Sequence, residues 1–72
     1  MNAFDEAVAA LAANVVAARR KAGLSQAELC HKVGVSRAVL SKIENAGGNV
    51  RLSAVEKLAD GLSLSVREAF TP

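Results

Sequence analysis

Tryptophan and tyrosine are missing from this sequence, and it holds only two phenylalanines, one cysteine, one histidine and one proline, the last residue. Each scarcity closes off a class of answers. Two phenylalanines as the only aromatics argue against a stacking platform for single-stranded nucleic acid. A lone cysteine has no partner for an internal disulfide, and Cys30 with His31 falls short of the ligand set of a structural zinc site. Nor can these two work as nucleophile and base, because neighbours on a helix point in different directions. The acidic residues are scattered, without the paired spacing of acid and base roles. No enzyme activity, metal or cofactor is therefore expected. No apolar run approaches the roughly 20 residues of a membrane-spanning helix. No charged start leads into an apolar stretch and a small-residue cleavage site, so the expected compartment is the reducing cytoplasm.

What remains is a chain of 72 residues with a net charge of +2. That length makes one domain, residues 1–72. Its core is marginal unless the helices are well formed or a second copy adds surface. The charge is unevenly laid out. Arg19, Arg20, Lys21, Lys32, Arg37, Lys42 and Arg51 share their stretch with only Glu28 and Glu44. Outside it, Lys57 and Arg67 stand against Asp5, Glu6, Glu56, Asp60 and Glu68. A basic middle attracts phosphates and leaves acidic ends for solubility or a protein contact.

The organising stretch is Ser25 to Glu44, SQAELCHKVGVSRAVLSKIE. Ser25 with Glu28 forms a capping box that starts a short helix, on which Ala27, Cys30 and Val33, with Leu29 beside them, make the expected buried face. Gln26, His31 and Lys32 then look outward. Gly34 supplies a left-handed turn, Val35 plugs into the core, and Ser36 caps a second short helix. There Val39, Leu40 and Ile43 are the expected buried stripe. Arg37, Ala38, Ser41 and Lys42 are left outside, where they form either a solvated face or a set able to meet base edges and phosphates.

Around this pair, residues 3 to 22 read as a long first helix with Phe4, Val8, Leu11, Val15 and Ala18 at spacings of three and four. Asn2 is its candidate cap, and Gly23 its stop. Phe4 and Val8 are expected to cover the C-terminal helix of the same chain; the alternative is a dimer seam. Residues 45 to 49, with two glycines and two asparagines, read as a loop. Leu52, Val55, Leu58, Ala59 and Leu62 mark a fourth helix, frayed or ended by Gly61. Ser53 with Glu56 mimics a capping box, but the helix is expected to start earlier. Ser65 with Glu68 opens a short fifth helix through Phe70. The expected fold is all-α, a compact five-helix domain with a helix-turn-helix at residues 25 to 44.

The runs Gly23-Leu24-Ser25-Gln26-Ala27-Glu28-Leu29, Gly34-Val35-Ser36 and Leu40-Ser41-Lys42-Ile43-Glu44-Asn45 resemble the Cro/CI-type helix-turn-helix of phage repressors and bacterial Xre-like regulators. The likeness covers residues 11 to 70 in unbroken order. It implies DNA base-reading by Arg37, Ala38, Ser41 and Lys42, and DNA-backbone contacts by Gln26, Ser36, Asn45 and Arg51. It also implies an ion pair between Arg19 and Glu44, and a dimer interface at Leu64, Val66 and Phe70. Three positions depart from the family pattern. Cys30 stands where relatives usually have alanine, Val16 where a polar or basic residue is common, and Val50 where proline often leads into the fourth helix. A small residue on a buried face makes Cys30 a packed thiol rather than a redox sensor.

The resulting expectation is a sequence-specific regulator of transcription, a homodimer on double-stranded DNA with a near-palindromic operator. Phage or prophage repressor, restriction-modification controller and antitoxin of a toxin-antitoxin pair all remain open, as does the reading head of a larger regulator continued beyond Thr71-Pro72. A toxin or a sensor domain would then be a further partner. The rival from another class is a protein-interaction module that retains the fold and binds DNA only weakly and without sequence preference.

Overall fold

In the computed structural model, which describes residues 2–72, five helices follow one another. The first, α1 (Ala3–Lys21), runs through a stretch without glycine or proline. Asn2 caps it by accepting the Asp5 N–H at 2.8 Å. Asp5 and Glu6 lie in the first turn and Arg19, Arg20 and Lys21 in the last, each sign where the helix dipole favours it. Ala22 is the C-cap, one residue earlier than the glycine expected to stop the helix. Gly23 follows in the left-handed region, which lets the Leu24 N–H reach back to the Arg19 carbonyl at 3.1 Å.

Ser25 and Glu28 form the capping box of α2 (Gln26–Val33): Ser25 Oγ accepts from the Glu28 N–H at 3.0 Å, and Glu28 Oε1 from the Ser25 N–H at 2.8 Å. Gly34, at φ +72°, turns the chain sharply into Ser36, whose Oγ accepts the Val39 N–H at 3.1 Å and starts α3 (Arg37–Glu44). Next comes α4 (Leu52–Gly61), with Arg51 at the N-cap and no side-chain cap. Because this helix begins before Ser53, Ser53 and Glu56 form no capping box. A genuine one, Ser65 with Glu68, opens the single-turn α5 (Val66–Ala69).

Long α1 lies against α3 and α5, α2 against α3 and α4, and α4 against α5. Between them sit Leu11, Val15, Leu29, Cys30, Val35, Leu40, Ile43, Val55, Leu58 and Ala69. Two residues expected in this core lie outside it. Ala27 is exposed: two residues from Leu29, it is about 200° round a helix of 3.6 residues per turn. Val39 is 38% exposed, because Leu40 and Ile43, at 0% and 1%, occupy the centre of the α3 stripe and Val39 falls about 70° to one side. Along α1, Val8 is buried, whereas Phe4 is 59% exposed and borders an apolar groove with Val8, Val50, Leu52 and Phe70. Leu52, at the first turn of α4, is 60% exposed.

Asn14 closes the structure. Its Nδ2 lies 3.1, 2.9 and 2.7 Å from the carbonyl oxygens of Glu68, Ala69 and Thr71. The two N–H groups of this one amide on α1 are shared among the three carbonyls and tie the C-terminal end of the one-turn helix to α1.

Candidate nucleic-acid interface

The inner side of α3 is fully committed to the core, so its outer side is free for other work. Arg37, Ala38 and Lys42 are exposed, and Ser41 is half-buried. Ser41 is partly engaged already: Asn45 Nδ2 donates to its carbonyl at 2.8 Å, which ties Asn45 to the end of the same helix. Ser36 is occupied as the N-cap. Arg51 is exposed where α4 begins, across the loop from Lys42.

That loop is tight against α3. The Gly47 N–H donates to the Lys42 carbonyl at 2.8 Å, and a Cβ at Gly47 would stand 2.7 Å from Lys42 Cγ. The left-handed residues are Asn49, one of the loop's two asparagines, and Ala46, while neither glycine adopts that conformation. Glycine is present at 47 because the Lys42 stem passes over it, which keeps that stem close to the backbone while its ammonium stays in water.

A chain of polar contacts runs from α1 to the first residue of α3. Arg19 Nε donates to Glu44 Oε2 at 2.7 Å and Arg19 Nη2 to Oε1 at 3.1 Å, a two-pronged pair whose side chains are only 13% and 7% exposed. Arg19 Nη1 also holds the Leu24 carbonyl at 2.9 Å, fixing the approach to α2. Gln26 Nε2 donates to Glu44 Oε1 at 2.9 Å. This sets the direction of the amide, so Gln26 Oε1 faces outward and accepts from Arg37 Nη2 at 3.3 Å. Gln26 is accordingly half-buried rather than fully outward-facing.

Burial opposes the charge on Glu44, but hydrogen bonds from Arg19 and Gln26, with the Arg19 and Arg20 charges, outweigh it and hold the carboxyl below its ordinary range. Cys30 behaves oppositely. Burial pushes its thiol up, against a weaker pull from Arg37, so it stays a protonated packing group.

Leu64, Val66 and Phe70 are half-buried, and Val66 and Phe70 pack against the core of their own chain. Among the described residues no group of three or more His, Cys, Asp or Glu side chains is placed to hold a metal, and no helix is long and apolar enough to cross a membrane.

This arrangement of α2, a glycine turn and an exposed α3 matches the helix-turn-helix family profile over residues 15–68. The chain belongs to the Cro/CI-type helix-turn-helix family. It is a family of DNA-binding domains and not of enzymes. A solved structure described as a hypothetical transcription factor from Neisseria is similar in fold and sequence, with a TM-score of 0.84 and 33% identity over 92% of this chain and 76% of that one. No curated protein matches. Within the helix-turn-helix frame, three features lay beyond sequence reasoning: the Asn14 clamp, the Gln26–Arg37 contact and the exposure of Val39. Each depends on which helices come together. The only signal for the first was a polar residue, poor at forming helix, in a run of alanine and valine.

Proposed function

We propose that this helix-turn-helix chain is a sequence-specific, DNA-binding regulator of transcription in the cytoplasm, of the phage-repressor or restriction-modification-controller type. The observation that carries the proposal is α3 itself: its inner stripe is buried, its far end is fastened to α1 through Glu44, and Arg37, Ala38 and Lys42 are exposed on its outer side. A helix so held can enter a major groove without losing its support.

In this reading Arg37 and Lys42 meet guanine edges, Ala38 a thymine methyl, and Ser41 either a donor or an acceptor. Gln26, Ser36, Asn45 and Arg51 lie along the phosphate backbone. The similarity to the Neisseria protein described as a hypothetical transcription factor supports the same role. The chain acts as a homodimer, with Leu64, Val66 and Phe70 at the seam and the exposed Phe4 and Leu52 extending it around Phe70. Two copies would place their reading helices in successive major grooves of a near-palindrome, half-site centres about 34 Å apart.

Selection from a randomised duplex pool at physiological salt tests the proposal. Paired inverted half-sites are the expected product. Arg37→Ala should cost about 1–3 kcal/mol and relax preference at one position of each half-site, while Arg51→Ala weakens all sequences alike. A chain that retains no preferred sequence, and binds only at low salt, would instead be a protein-interaction module on the same fold.

A further inference from the structure

Val39 is the one large apolar side chain of α3 that the core does not take. Leu40 and Ile43 are 0% and 1% exposed, yet Val39, adjacent in sequence, is 38% exposed. It forms one wall of a cleft of about 290 Å³ between α3 and the start of α4, with Ile43, Val50 and Ala54 as the rest of its apolar lining. Lys42 and Arg51 also line this cleft, and neither makes an ion pair among the described residues. The surface is thus an apolar patch with two cations beside it.

Charge decides what fits there. A DNA strand brings an apolar base feature flanked by phosphates, which match the charges of Lys42 and Arg51. Valine has neither donor nor acceptor, so it cannot read hydrogen-bonding patterns. The one apolar group that distinguishes bases in the major groove is the C5-methyl of thymine. Val39 is also β-branched, with one strongly preferred rotamer in a helix, so little freedom is lost when its methyls meet a partner.

We infer that Val39 is a further specificity-determining residue, its isopropyl group packing on a thymine methyl at the edge of the half-site while Arg51 holds a neighbouring phosphate. The inference rests on the reading of the chain as an operator-binding protein and adds to it a second thymine-methyl contact, beside that of Ala38 and unlike the polar contacts of Arg37, Ser41 and Lys42.

Replacing each thymine of the selected operator in turn by deoxyuridine removes one methyl group and leaves every hydrogen-bonding atom in place. The wild-type chain should lose about fourfold in affinity per half-site at one such position, the equivalent of one buried methyl. In Val39→Ala the same replacement should have no further effect. Val39→Thr, of nearly equal shape with a hydroxyl in place of one methyl, should keep only part of the discrimination. Because Val39 is exposed, both variants should melt close to the wild type. An operator whose thymine-to-uracil effects are identical in wild type and Val39→Ala overturns this inference alone, and one with no methyl-sensitive position overturns the thymine contact of Ala38 with it. A chain that selects no sequence from the pool overturns the operator-binding reading, and this inference with it.

Discussion

Four of the five helices end by swinging a residue into the left-handed region, and the residue chosen differs. After α1 and α2 it is Gly23 and Gly34; after α3 and α4 it is Ala46, at φ +57°, and Ser63, at φ +59°. For an L-residue that backbone costs about 1–2 kcal/mol, partly offset by the greater freedom glycine loses on folding. Ser63→Gly should therefore raise stability by about 0.5–1 kcal/mol, and Gly34→Ala lower it by about 1–2 kcal/mol although no atom lies within 4 Å of the added Cβ. Urea midpoints moving in opposite directions at unchanged slope would check both. The contrast also shows what was legible at this scale. Gly23 and Gly34 follow apolar stripes and could be read from the sequence. Gly47 and Gly48 could not, because their reason is the Lys42 stem and the Phe4 ring above them, and those neighbours come from elsewhere in the chain.

At the scale of helices, the fastening of α3 to α1 has a pH signature. The Glu44 carboxyl lies below its unfolded value of about 4.3, so its contribution is fully present above that pH and is lost as pH falls through the folded value. Glu28 and Glu68 shift in the same direction, through the Ser25 and Ser65 backbone N–H groups their carboxylates accept. Glu44→Gln should cost on the order of 2 kcal/mol at pH 7, where Arg19 loses its counter-charge, and should flatten the decline in melting temperature between about pH 5 and pH 3. An equally steep acid limb in the variant would assign the acid sensitivity elsewhere. Helix starts were the best-read feature of the sequence, since Ser25 with Glu28, Ser36, and Ser65 with Glu68 carry their hydrogen bonds within four residues. Faces were read less well. On helices as short as α2 and α3 a single residue, Ala27 or Val39, can satisfy the apolar spacing and still lie beyond the edge of the buried stripe.

For the molecule as a whole, the basic middle of the chain predicts a steep loss of DNA affinity with salt, the logarithm of the binding constant falling by about 0.9 for each phosphate neutralised per tenfold rise in salt. If Arg51 meets a phosphate as proposed, Arg51→Gln should lower that slope by about 1 per half-site, while Ala38→Gly leaves it unchanged. Parallel titrations at several salt concentrations would check this. The order of helices and the family were legible because α2, the glycine turn and α3 form one continuous signal, whereas the closure of the fold was not, since it joins residues more than 50 positions apart. That closure bears on how the chain is made. Synthesis proceeds from the N-terminus, so both helices of the reading unit are made before the carbonyls that Asn14 gathers exist, and before Ala69 can reach the core beside Leu11 and Val15. A product cut short in the turn before Ser65 would carry the whole reading surface on an unsealed core. Such a fragment should be cut faster by protease than the sealed chain, because its core opens more readily.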